Sequence, residues 1–448
     1  MDITIVGLFG HFNYNLSLFD HDGRINILTG PNGFGKSTIL RCIRAVGESD
    51  LNFFADLEFE KFQIHSNQKS FSLEKKDDSC IINGTEFSFD EMRRDFRANR
   101  DYFSGNVSIH FYREDNYFEK VFPMVKSALN HDYNEVFEIA REAKHNAGKA
   151  KLQKKISDIL QQMAQIGGTI YMIQEQRLVE TVTGGSGADS GKRERIREVI
   201  EGIPEKLKNN ISQAANAYSK KSTDLDSSLP YRLLDRSEGK SLSETEFNAL
   251  YREMRSNLEK LRENGISDME NRTGGLKFSE KDAKILRVLL DDFNEKYDVY
   301  RPLMEKLSLF QSIVNRRLMF KRVRISEEQT LIVEDDRGRP IPLKTLSSGE
   351  KEILVLFYKL IFETKPGSLL LIDEPEISLH LAWQKPFVRD LQKIADMNDL
   401  QAVIATHSSS IIGGHRDIQI DLGELYQNGQ NAKQRLGPSA DNKRRTPE

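Results

Sequence analysis

One octapeptide, Gly30-Pro31-Asn32-Gly33-Phe34-Gly35-Lys36-Ser37, constrains this chain more than any other stretch. It fits G-x-x-x-x-G-K-[ST], a pattern that works only where a strand enters and a helix leaves. Both flanks comply. Arg24–Thr29 is an apolar run suited to a buried strand, and Ser37–Val46 carries Ile39, Leu40, Ile43 and Val46 at helical spacing. The glycines let backbone N–H groups turn inward around phosphate oxygens, and the helix N-terminus favours an anion. Asn32, Gly33, Phe34, Gly35, Lys36, Ser37 and Thr38 are therefore candidate ATP contacts, with Lys36 on the terminal phosphates and the Ser37 hydroxyl on Mg²⁺.

Further motifs follow in a fixed order. Leu369–Ile372 reads as a buried strand that closes on Asp373 and Glu374. Asp373 is placed to hold Mg²⁺, and Glu374 to orient or deprotonate an attacking water. Upstream, Leu346-Ser347-Ser348-Gly349-Glu350 opens an apolar helix through Lys351–Phe362. Ser347 or Ser348 can cap that helix, and its small residues and free N–H groups suit a γ-phosphate. His407, after the apolar strand Ala402–Ala405, is a candidate imidazole donor to the γ-phosphate and a second catalytic candidate beside Glu374. Gln176, after the strand Thr169–Ile173, can accept from Mg²⁺-bound water; Gln174 is an alternative. Arg177 suits a salt bridge or an anion contact equally well. Ser378-Leu379-His380 follows Glu374 where a loop can reach a second subunit.

Around these motifs, Ile3–Gly7, Tyr14–Leu18, Phe59–Ile64, Lys69–Glu74 and Cys80–Phe89 read as strands, with Asn83-Gly84 as a hairpin turn. Residues 90–167 read as mostly helical. The boundaries predicted are an N-terminal lobe at 1–178, a Gly-rich linker at 179–191 and an inserted helical arm at 192–318. A C-terminal lobe at 319–423 and a polar tail at 424–448 complete them. The arm is expected to break near Ser227–Arg236 and Arg272–Gly275, and the tail from Asn428 to be mobile. Val323–Ile325 and Thr330–Glu334 read as a hairpin.

The chain has 448 residues, 38% hydrophobic and 30% charged, with a formal net charge of -3, so no overall basic field advertises nucleic acid. Arg316, Arg317, Lys321, Arg322 and Arg324 form the best local basic cluster; solvated helix faces are the plainer reading of such runs. Cys42 and Cys80 form no CxxC pair, which excludes a zinc hook and suits a reducing cytosol. No apolar run reaches membrane-spanning length, and a cytoplasmic protein is expected.

The order of phosphate loop, Gln176, Leu346–Glu350, Asp373-Glu374, Ser378–His380 and His407 resembles the ABC-type ATPase heads of the SMC, RecF and OLD group. More narrowly, Ile173–Leu178, Asp226–Leu234, Leu346–Glu352 and Ile372–Gln384 resemble the stand-alone ATPases of bacterial anti-phage defence islands, the PARIS-type ATPase subunits among them. The resemblance implies an α/β head, a mixed sheet with a P-loop core plus an antiparallel β lobe, carrying an inserted helical arm or lid. It implies ATP and Mg²⁺ as cofactors. It also implies an ATP-sandwich homodimer, or a higher homo-oligomer, in which Ser347, Ser348, Gly349 and Glu350 of one copy meet the other copy's nucleotide. The partners implied are a phage protein trigger and a separate TOPRIM-type nuclease effector, since no Glu plus Asp-x-Asp cluster follows Leu422. The arm, broken twice and without cysteine, disfavours long-distance DNA tethering. DNA is a possible partner but not a required one. Slow, conformationally coupled ATP hydrolysis is expected. The competing classes are a RecF/SMC-like repair ATPase acting on DNA and the nucleotide-binding subunit of a transporter.

Overall fold

The computed structural model describes residues 1–20, 23–66, 68–77, 79–88, 154–173, 179–183, 194–234, 242–266, 275–326 and 328–435. Gln174, Gln176, Arg177, the Gly-rich stretch at 184–191, the helical reading of 90–153, the arm break at 272–274 and the last thirteen residues lie outside them.

The chain forms two compact units. The first comprises Met1–Gln174, Lys365–Pro375 and Ala395–Glu448. At its centre is a five-stranded sheet in the order Gln419–Asp421, Ile25–Thr29, Gln401–Ala405, Leu369–Asp373, Ile170–Ile173. Every pairing in it is parallel. All residues of Ile25–Thr29 are buried, as a strand covered on both faces requires, and the unbroken apolar run in the sequence follows from that. The phosphate-loop helix, Lys36–Gly47, buries Ile39, Leu40, Ile43 and Val46 in the main core.

A second sheet of this unit is antiparallel and six-stranded. It is ordered Phe12–Ser17, Asp2–Leu8, Lys61–Ser66, Lys69–Lys75, Ser79–Ile82, Thr85–Ser88. Its strands alternate in burial: Tyr14 and Leu16 face the core while Asn13, Asn15 and Ser17 face out. The expected α/β head is thus realised as two sheets of opposite character, a parallel P-loop core and an antiparallel lobe. At the predicted hairpin, Asn83 and Gly84 both take positive φ, 46° and 78°, as a two-residue turn between twisted strands demands. Cys42 and Cys80 are buried free thiols. Burial pushes the Cys42 thiol far up, and the Cys80 thiol up to about 11 against the opposing charge of Lys75.

The second unit comprises Glu175–Thr364 and Glu376–Ile394. It contains the arm helices Val199–Leu234, Glu244–Glu263, Ala283–Asp298 and Arg301–Asn315, and also the helix Ser348–Tyr358 with the π-helical turn Lys359–Glu363. Within this unit the helix after Leu346 packs on the arm helices. Phe310 meets Tyr358 and Phe362 edge-on at 6.3 and 5.8 Å, and Lys206 pairs with Glu363 at 2.8 Å.

The helix Val199–Leu234 continues past Pro230 and ends inside the break expected near Ser227–Arg236, and the next helix starts at Glu244. Side chains bond carbonyls in the turn before the proline: Ser227 Oγ donates to Asp224 O at 2.8 Å, and Ser228 Oγ and the Arg232 guanidinium donate to Leu225 O at 3.0 and 2.7 Å. The expected mobile tail begins instead as a helix, Leu422–Arg435. Asp421 starts it, its Oδ1 accepting from the N–H groups of Gly423 and Glu424 at 2.7 and 3.2 Å.

Candidate functional site

The phosphate loop leaves the buried strand Ile25–Thr29 with Gly30, Gly33 and Gly35 at φ 146°, 81° and 87°. A side chain at any of these positions would be strained. Crowding adds to this at Gly35, where a Cβ would lie 2.9 Å from Leu8 Cδ2; at Gly33 it would meet nothing within 4 Å. The loop is thus tight where it touches the protein and open at Gly33.

Three strand ends of the parallel sheet deliver the chemistry. Ile25–Thr29 presents the loop, Leu369–Asp373 presents Asp373 and Glu374, and Gln401–Ala405 presents Thr406 and His407. Functional residues gather at the carboxyl ends of parallel strands because loop-to-helix connections leave there. Ser37 Oγ donates to Asp373 Oδ1 at 2.9 Å. Lys36 is buried, its ammonium donating to the carbonyls of Gly30 and Pro31 at 3.0 and 3.3 Å and lying against His407 Nε2. Four of the sequence candidates, spread from Lys36 to His407, therefore meet in two direct contacts.

Glu374 takes the left-handed region at φ 45°, its N–H donating to Ala405 O at 2.9 Å. A non-glycine residue pays about 1–2 kcal/mol for that conformation. Such strain concentrates at working positions.

Ser37 and Asp373 offer a hydroxyl and a carboxylate, the hard oxygen donors Mg²⁺ prefers, and they already face each other at 2.9 Å. Among the described residues no group of three or more His, Cys, Asp or Glu gathers to cage a metal. This pair fits a cation completed by phosphate oxygens and water.

In the second unit, Ser347 rather than Ser348 caps the helix Ser348–Tyr358, in a capping box with Glu350. Glu350 accepts from the Ser347 N–H and Oγ, both at 2.9 Å, and from Lys321 Nζ at 2.8 Å. Burial raises its carboxyl, but Lys321 and the two Ser347 donors outweigh burial and hold it below the usual range. Glu350 is thus occupied in shaping the cap, while Ser348 and Gly349 form the first turn. A Cβ on Gly349 would stand 3.9 Å from the Trp383 ring. In Ser378–His380, the His380 Nδ1 accepts from Ala382 N–H at 3.3 Å, and Gln384 braces the segment by donating to Leu379 O at 2.9 Å.

The basic cluster is paired internally. Arg316 and Arg317 both bind Asp390, at 2.9 and 2.5 Å. Arg322 and Arg324 share Glu334, and Lys321 holds Glu350.

Residues 9–412 match the AAA ATPase domain family. The chain belongs to that family. This AAA-type ATPase is 28% identical over 131 residues to "Protein ea59" of Escherichia phage lambda, a match covering 27% of this chain and 25% of the phage protein. The chain thus spans about a quarter of that relative. Among solved structures it is similar to the Smc head domain of Pyrococcus furiosus bound to the C-terminal domain of ScpA, at 14% identity and TM-score 0.37, covering 96% of this chain and 98% of that one. The SMC head domain of Thermotoga maritima is similar at 13% identity and TM-score 0.33, covering 92% and 90%. No described helix of this ATPase is long and apolar enough to cross a membrane.

Sequence reasoning missed the aromatic and acidic backing of the phosphate loop. Tyr14 OH donates to Phe34 O at 2.9 Å, and Thr29 Oγ1 donates to Asp421 Oδ2 at 3.0 Å. The sequence placed Tyr14 in a strand, but nothing local ties it to residue 34.

Proposed function

We propose that the chain is a slow ATP-driven switch in which two copies clasp ATP between them. One copy's phosphate loop and the other's Ser347, Ser348 and Gly349 would grip the triphosphate from opposite sides. The observation that supports this reading most is the joint convergence of Ser37 on Asp373 and of Lys36 on His407. Lys36 would move from the Gly30 and Pro31 carbonyls to the terminal phosphates. Ser37 and Asp373 would hold Mg²⁺, which supplies charge neutralisation on the phosphates when bound. Glu374 would take the proton of the attacking water, and His407 would donate a hydrogen bond to the γ-phosphate. Gln176 is retained in this reading as a ligand to Mg²⁺-bound water.

The free energy of binding and hydrolysis would go into arm orientation and partner affinity rather than a chemical product. From the resemblance of Ile173–Leu178, Asp226–Leu234, Leu346–Glu352 and Ile372–Gln384 to stand-alone defence ATPases, we infer a sensor role in anti-phage defence. The ATP-bound assembly would hold a separate toxic effector, a TOPRIM-type nuclease, and release it when a phage protein trigger binds. A repair ATPase reading on DNA loses its best sequence support, because each member of the Arg316–Arg324 cluster named above has a carboxylate partner.

The test uses Lys36→Ala and Glu374→Gln. Lys36→Ala should abolish ATP binding. Glu374→Gln should bind ATP, lose turnover and accumulate as a dimer or larger assembly in size-exclusion chromatography with ATP and Mg²⁺. Normal turnover in both variants would overturn the site. Unchanged monomer mass in ATP-loaded Glu374→Gln would overturn the two-copy clasp.

A further inference from the structure

The phosphate loop is backed by the start of the helix Leu422–Arg435, a segment with no part in the chemistry above. The contacts fall at Thr29, Gly30, Pro31 and Phe34. Thr29, the last residue before it and 4% exposed, donates to Asp421 Oδ2 at 3.0 Å. A Cβ on Gly30 would lie 3.1 Å from Leu422 Cβ, and a Cβ on Gly423 would lie 3.4 Å from Pro31 Cδ. The Tyr426 ring stands edge-on to Phe34 at 5.8 Å and to Phe12 at 5.2 Å, and Phe12 lies 4.9 Å from Phe34. Tyr14 OH closes the set on the Phe34 carbonyl at 2.9 Å. Burial and the neighbouring Tyr426 push the Tyr14 phenol up, so it stays a donor.

We propose that Asp421–Tyr426 is a positioning element for the nucleotide, holding the phosphate loop in its binding shape through Gly30, Pro31 and Phe34. A loop with three positive-φ glycines has little shape of its own, because glycine populates many backbone states. Something outside it must fix the direction of its N–H groups, and the aromatic clamp and the Asp421 cap do so from one side. Displacement of this helix start, by a partner gripping the C-terminal segment, would then weaken ATP binding without any contact to the nucleotide. The inference rests on the phosphate-loop reading above.

The experiment measures binding of a fluorescent N-methylanthraniloyl-ATP to the full chain, alongside thermal melting. Tyr426→Ala removes two edge-on aromatic contacts and is expected to weaken binding about tenfold. Tyr426→Phe keeps both rings and is expected to bind within about twofold of the parent. Turnover at saturating ATP should be retained in both, since Tyr426 faces Phe34 rather than Glu374 or His407. Gly423→Ala probes the same contact by crowding it: its methyl would stand 3.0 Å from Asp421 Oδ1 and press on Pro31. Weaker binding is therefore expected, with the melting temperature reading separately what crowding the Asp421 cap costs. Tyr426→Ala added to Phe34→Ala should cost little more than Phe34→Ala alone. Parent-like binding in both Tyr426→Ala and Gly423→Ala, with Lys36→Ala still unable to bind, would overturn the positioning role alone. Parent-like binding in Lys36→Ala would overturn the phosphate-loop reading and the inference with it.

Discussion

Asp390→Ala is expected to be among the most destabilising single changes in the second unit. Its carboxylate is fully buried and takes two guanidiniums, Arg317 at 2.5 Å and Arg316 at 2.9 Å. Arg316 is 42% exposed and can turn to water, but the Arg317 side chain is 3% exposed and cannot. Burial already pulls the Arg317 guanidinium below its usual range, and pairing with Asp390 is the main opposing influence. Removing the carboxylate leaves a buried cation whose other named supports are the Ile313 carbonyl at 2.8 Å and the Phe357 ring at 4.7 Å. Breaking a buried pair from one side costs about 3–5 kcal/mol. At about 2–4 °C per kcal/mol, the melting transition of this unit should fall by about 6–20 °C. Differential scanning calorimetry checks it. The paired replacement Arg317→Met with Asp390→Leu should recover most of the loss, since apolar substitutes for a buried ion pair are often neutral. A drop under about 2 °C for Asp390→Ala would refute the assignment of these arginines to internal pairing and return them to the surface as a binding patch.

Other outcomes follow from the same geometry. The Glu350 carboxyl lies below its unfolded range, so its contribution is present above that range and lost as pH falls through the folded value. Glu350→Gln should therefore lower stability at neutral pH and flatten the loss of melting temperature on acidification; equal slopes in both proteins would contradict the pairing with Lys321. Glu374→Gly should abolish turnover yet raise the melting temperature, since glycine removes about 1–2 kcal/mol of left-handed strain. A lower melting temperature in that variant would place the strain elsewhere.

The parts of this molecule legible in its sequence are those fixed by local rules. Gly30–Ser37 announced a strand, a turn and a helix because no other backbone path can use that glycine spacing. Asn83-Gly84 announced a hairpin because both residues accept positive φ. What stayed hidden depends on partners far along the chain. The pairing of Arg316 and Arg317 with Asp390 was hidden because that carboxylate lies more than 70 residues further along the chain. The tail looked mobile because Leu422 and Tyr426 are too few to give a periodic pattern, although the loop they cover lies about 390 residues earlier, the separation of Thr29 and Asp421 being 392.

The strand order of the parallel sheet bears on biosynthesis. Ile25–Thr29 lies between Gln401–Ala405 and Gln419–Asp421, so the strand that carries the phosphate loop is synthesised well before either of its neighbours and gains both only after Asp421 has been made. Until then the backbone N–H and C=O groups along both its edges await their strand partners, and its apolar faces await their cover. A premature stop between residues 38 and 400 leaves a product that carries the whole octapeptide on Ile25–Thr29 but neither neighbouring strand, Gln401–Ala405 or Gln419–Asp421.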